Sequence, residues 1–147
     1  MKKTIITILI ILFISTAAHA TATATLQNVD VKAYKDFLLQ RYVVRSGFSV
    51  QIPNEYTIIF SKTIDHKGMM LLLRTFGGDK VGNNVVFQAN YTIIPCGTNI
   101  TVQLSTNAIQ AQGSMYHKVV SLGTQQEINE LNSVNNEFIG IVNSEKK

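Results

Sequence analysis

The alternation across residues 85–105, VVFQANYTIIPCGTNITVQLS, constrains the fold more than any other stretch. Val85, Phe87, Ala89, Tyr91 and Ile93 share one parity, while Gln88, Asn90 and Thr92 share the other. After a short turn, Ile100, Val102 and Leu104 alternate with Thr101, Gln103 and Ser105. Successive strand side chains point to opposite faces, so each run has one oily side and one neutral polar side. The pair predicts an antiparallel hairpin with a single face on the core. A one-residue slip would turn every oily group outward, at about 1.5–3 kcal/mol for each large side chain.

A core face needs a cover, and the flanking segments supply two helices. In VDVKAYKDFLLQRYVVRSG, residues 29–47, Asp30 is placed to accept from free N–H groups of a first helical turn. Tyr34, Phe37, Leu38 and Tyr42 form one helical face, Arg41 and Arg45 suit the negative end of the dipole, and Gly47 suits the left-handed stop. Near the other end, Thr124 and Glu127 match a capping box, with Ile128, Leu131, Val134, Phe138 and Ile139 as an imperfect stripe behind it.

Between these, the period is 2. Phe48, Val50 and Ile52 precede a Pro53-Asn54-Glu55 turn, and Tyr56, Ile58 and Phe60 follow it. Asp65–Gly68 reads as a turn, MMLLLRTF (69–76) as a covered central strand, and GGDKVGNN (77–84) as a loop. Residues 107–122 are expected to extend the preceding strand, break at Gly113 and add a short edge strand. The expected fold is α+β: a two-layer domain spanning 29–142, with an antiparallel sheet of four or five strands and both helices on one face. Residues 143–147 are expected to fray.

The first twenty residues have the layout of a secretory signal. Lys2 and Lys3 precede an apolar run of about ten residues, followed by the small-x-small pattern Ala18-His19-Ala20. That run is half the length of a spanning helix, about 20 residues, so removal is expected rather than anchoring. Cleavage after Ala20 is the first choice, although Ala22 and Ala24 offer two further registers. Residues 21–28 are small and polar, and are expected to be a flexible leader.

Composition narrows the chemistry. Without Lys2 and Lys3 the formal charge falls from +4 to +2, and the remaining cations are scattered, which argues against nucleic acid as a partner. Cys96 is the single cysteine and lies in a Pro-Cys-Gly turn, so packing and not an internal disulfide must hold the fold. A catalytic thiol needs a base, and neither His66 nor His117 sits in a recognisable motif. The histidines also lack zinc-ligand spacing. Gly77 and Gly82 have P-loop spacing, but Asn83-Asn84 follow where Lys-Ser/Thr is required. Glu127 and Glu130 read as a solvated helix face. No catalytic residue, cofactor or metal ligand is expected. Arg74, interrupting an apolar run, is the one charge that suggests an anion contact. The bland alternative is a stem packed on the sheet with its head in solvent.

The glycine entry after the first helix, the YTIIF strand and the VVFQANYTIIPCGTNITVQLS hairpin resemble small exported bacterial helix–antiparallel sheet–helix proteins of unknown function. The resemblance implies fold and compartment, periplasmic or secreted, and transfers no active site. The expected function is an exported, non-enzymatic binding module with an envelope or secreted protein as partner. Its candidate face is Gln88, Asn90, Thr92, Thr101, Gln103 and Ser105. A second reading is a carrier of a small apolar ligand or lipid, lined by Tyr34, Phe37, Tyr56, Phe60, Phe87 and Tyr91. The plainer alternative is that those aromatics fill the core.

Overall fold

A computed structural model describes residues 21–64, 85–110, 118–121 and 123–145. The expected signal, the 69–76 strand, the 77–84 loop, Arg74, both His66 and His117, and Gly113 lie outside the described residues. Within them the order is β1 (Ala22–Leu26), α1 (Val31–Leu39) continuing into a π-helical segment (Gln40–Arg45), β2 (Ser49–Asn54), β3 (Thr57–Ile64), β4 (Val85–Cys96), β5 (Asn99–Gln110), β6 (Lys118–Ser121) and α2 (Thr124–Glu145). The class is α+β, with one antiparallel sheet and a helix towards each end of the chain.

The sheet places six strands in five positions, ordered β1-β5-β4-β3-β2, with β6 also pairing β5. The central hairpin keeps strict register from Val85↔Gln110 to Cys96↔Asn99. Its two-residue turn is Gly97-Thr98, with Gly97 at φ 66°, a conformation that glycine adopts without a Cβ penalty. β1 and β6 lie end to end along the same edge of β5: β1 covers Ile100–Leu104 and β6 covers Asn107–Gln110.

The expected alternation holds. Ala89, Tyr91, Ile93, Ile100, Val102 and Leu104 are all buried, and they join Ile58 and Phe60 of β3 in one core. From the helices, Tyr34, Phe37, Leu38, Tyr42, Leu131, Val134 and Phe138 enter the same core. Aromatic contacts bind it: Phe138 lies edge-on to Tyr34 at 5.1 Å, and Tyr42 stacks on Phe60 at 4.6 Å. Asp30 caps α1 as expected, accepting from the Ala33 N–H at 2.9 Å.

Four expectations need correction. Residues 21–28 are not a flexible leader, because Ala22–Leu26 form an edge strand in register with β5. In ATATL the alanines and Leu26 turn into the core while the threonines face away. Alanine's methyl carries too little apolar area to register as a hydrophobic run, yet Ala22 and Ala24 are buried in the core. Secondly, the β2–β3 connection does not alternate cleanly. The register shifts between Gln51 and Asn54, leaving Ile52 57% exposed and Tyr56 43% exposed. Pro53 has no N–H for the ladder, which confines it to such an irregular edge. Thirdly, the C-terminal helix continues through Glu145, so residues 143–145 are helical and not frayed. Finally, Thr124 and Glu127 do not form a capping box. Thr124 is already helical, and the Glu127 carboxylate turns to the sheet, accepting from the Thr106 amide at 2.7 Å and from its hydroxyl at 3.2 Å.

Candidate functional site

The six residues expected to share a face do share one. Asn90 sits opposite Ser105 and Thr92 opposite Gln103, while Gln88 pairs with Asn107 and Thr101 with Ile94. All six have the parity opposite to the core residues of their strands, and each is half-buried. The sheet extends this surface on both sides. β1 adds Thr23 beside Gln103 and Thr25 beside Thr101, with the Thr25 and Thr101 hydroxyls 3.5 Å apart. β3 adds Thr57 beside Thr92, Ile59 beside Asn90 and Ser61 beside Gln88. The contributions of β1 escape the sequence reading because residues 21–28 gave no apolar signal.

No residue in this set carries a charge, so the face can offer short-range hydrogen bonds and no field. The Asn90 Oδ1 is buried in the centre without a hydrogen-bond partner among the described residues. Towards β2, a depression of about 250 Å³ is lined by Ser49, Gln51, Ser61, Lys62, Thr63, Val86 and Gln88. Cys96 closes one end: its thiol is free and exposed, 3.8 Å from the Thr101 hydroxyl.

A second feature lies where the π-helical segment meets α2. The Gln40 N–H is shared between the Asp36 and Phe37 carbonyls, four and three residues back, where α1 passes into the π-helical segment. Beyond it Tyr42 stays on the core side while Arg41 turns to α2. Arg41 pairs with Glu130 at 3.3 Å and with Glu137, and Arg45 pairs with Glu137 at 2.6 Å. The Tyr42 hydroxyl donates to Glu130 Oε1 at 2.7 Å and lies 2.8 Å from the Tyr91 hydroxyl. A phenol has one proton, so Tyr42 accepts from Tyr91, and a directed chain runs from the core to the surface. Burial, followed by the nearby Glu130 carboxylate, holds the Tyr42 hydroxyl well above the ordinary phenol range. Burial, followed by Tyr42, does the same for Tyr91. Burial opposes the Arg41 charge, but Glu130, Tyr42 and Glu137 outweigh it and leave the guanidinium above its usual value.

These groups border an open cleft of about 420 Å³, whose apolar wall is Tyr42, Phe48 and Phe87. The two arginines and two glutamates neutralise one another, so the cleft offers no net charge to a ligand. Sequence reading placed Arg41 and Arg45 near a helix end but gave no sign of their partners, which lie 89 and more positions away. Glu130 is therefore not simply a solvated helix face, and Glu127 is buried outright. The suggested ligand-lining aromatics divide: Tyr34, Phe37, Phe60 and Tyr91 are packed in the core, Phe87 is half-buried at the cleft and Tyr56 is exposed.

No family model, curated protein or solved structure matches this chain.

Proposed function

We propose that the protein is an exported, non-enzymatic binding module of the bacterial cell envelope. It recognises a partner protein or another envelope component through the outer face of β4 and β5. The observation behind this reading is the side-by-side placement of Gln88, Asn90, Thr92, Thr101, Gln103 and Ser105, opposite the core. Neutral amides and hydroxyls exchange water for partner hydrogen bonds at a much smaller desolvation cost than charges do. The layout of residues 1–20 supports export, to the periplasm or beyond. In this reading both helices lie on the core face as one covering layer, which leaves the other face for recognition. The shared core of α1 and α2 with the inward strand residues supports that arrangement.

The test is photo-crosslinking in intact cells from a probe at Gln103. One dominant partner should be captured, and Thr92→Lys with Ser105→Lys should abolish capture without shifting the thermal midpoint. Capture of no partner, or of one indifferent to those substitutions, ends the reading.

A second reading, a carrier of a small apolar ligand, draws on the cleft beside Phe48 and Phe87. Its volume falls within the range of small-molecule sites, about 300–1,000 Å³. Native mass spectrometry of freshly purified protein should then show a bound species that Phe87→Ala loses. Only bare protein would exclude it.

A further inference from the structure

Glu127 is 1% exposed, and only one of its carboxylate oxygens is used. Oε1 accepts both Thr106 bonds, while Oε2 is buried without a partner among the described residues. No ion pair among the described residues includes Glu127. Burial pushes its pKa above the ordinary carboxylate value, and the Thr106 bonds offset only part of that. A buried carboxylate with a free oxygen is costly unless a cation meets it.

The sheet register shows what could meet it. Ile93 donates its N–H to the Tyr56 carbonyl, so the odd-numbered amides of β4 point towards β3 and its even-numbered ones towards β5. In the β4–β5 register this turns the even-numbered amides of β5, Thr106 included, to the edge shared by β1 and β6. β1 begins at Ala22↔Leu104 and β6 ends at Ser121↔Asn107, so no described strand residue pairs with Ser105 or Thr106 on this edge. Extending the register of β1 back by one residue sets Thr21 beside Ser105. At the next position of that register, opposite Thr106, the acceptor of the Thr106 N–H is the Glu127 carboxylate. The Thr21 nitrogen is the last backbone atom before that position, about one strand rise of roughly 3.4 Å from it.

We propose that removal of the leader completes this site: the cut falls between Ala20 and Thr21, and the α-ammonium it creates is the partner of Glu127. Water, delivered by a leader peptidase, adds across the Ala20–Thr21 amide. Ala20 departs as a carboxylate with the leader, and Thr21 keeps an amine that takes up a proton at neutral pH. Before the cut that nitrogen is a neutral amide, and afterwards it carries the positive charge that the buried carboxylate lacks. The alternative small-x-small cuts, after Ala22 or Ala24, would remove residues that are 2% and 1% exposed and paired with Leu104 and Val102. Only the cut after Ala20 leaves β1 whole. The inference rests on the export reading above, and the experiment separates the two.

The full chain is expressed with its leader, and the exported product is examined by intact mass and N-terminal sequencing. A start at Thr21 is expected. A product starting elsewhere overturns the cut, and a chain that keeps its leader overturns the export reading itself. The processed protein and its Glu127→Gln form are then acetylated near neutral pH, with each site followed by mass spectrometry. The Thr21 amine should react at least about tenfold more slowly in the parent, and the pH dependence of its rate should place its pKa above the ordinary range, about 7.7–8.0. Equal rates would overturn the pairing. Should Glu127→Gln fail to fold, the parent decides alone, because an amine titrating in the ordinary range refutes it.

Discussion

Tyr34 and Asn135 offer the sharpest test of how the two helices are joined. The Tyr34 hydroxyl donates to Asn135 Oδ1 at 2.7 Å across 101 positions of sequence, and both residues are completely buried. Among the described residues the Asn135 Nδ2 has no partner, so this bond is the one that satisfies the side-chain amide there. Tyr34→Phe removes a net bond of about 1 kcal/mol and leaves a buried acceptor unmet, a penalty of about 1–3 kcal/mol for such a group. A total loss of about 2–4 kcal/mol follows. Asn135→Leu alone orphans the phenol instead, with a loss of similar origin, partly offset because a leucine beside Phe138 and Val134 suits that environment. The double substitution leaves no polar group unmet, so it should be no less stable than Tyr34→Phe alone. A coupling energy of about 1–2 kcal/mol is expected from the double-mutant cycle. Urea unfolding followed by far-UV circular dichroism measures it. With a slope of about 1–3 kcal/mol/M, the Tyr34→Phe midpoint should fall by about 0.7–4 M. Strictly additive losses would refute the claim that this bond fastens α1 to α2.

Three further outcomes follow from the same structure. Tyr34, Tyr42 and Tyr91 have folded-state pKa values raised by burial, so their contribution to stability is full below the ordinary phenol value of about 10 and is lost as pH rises past it. An alkaline titration at 295 nm should show these three ionising together with loss of the far-UV signal, and their smooth ionisation in a folded chain would contradict the packing. Ala24→Glu should destabilise by at least about 3 kcal/mol by burying an unpaired charge, whereas Thr25→Glu, on the other face of β1, should stay within about 1 kcal/mol. Equal thermal midpoints for these two would return residues 21–28 to the status of a leader. Cys96→Ser should leave stability within about 0.5 kcal/mol, because the thiol is exposed and its polar contact is the Thr101 hydroxyl at 3.8 Å. A dimer on non-reducing gels that disappears in this variant would assign the thiol an intermolecular role.

Local periodicity made much of this protein legible before any coordinates. The two faces of the central hairpin, the buried side of α1, its Asp30 cap and the Gly97 turn each depend on a few neighbouring residues. Pleat and helical twist act at that range. The candidate face was legible for the same reason: Gln88, Asn90 and Thr92 had to oppose Ala89, Tyr91 and Ile93 once a strand was assumed. Residues 22–26 became a strand only because β5 presents an open edge opposite them, and a segment of alanine and threonine carries no signal strong enough to announce that. The partners of Glu127, Arg41 and Tyr42 were equally hidden. Hydrogen bonds and ion pairs between distant segments are set by where the chain brings β5, α2 and the π-helical segment together. A charged residue at the right helical spacing looks the same in sequence whether it meets water or the sheet.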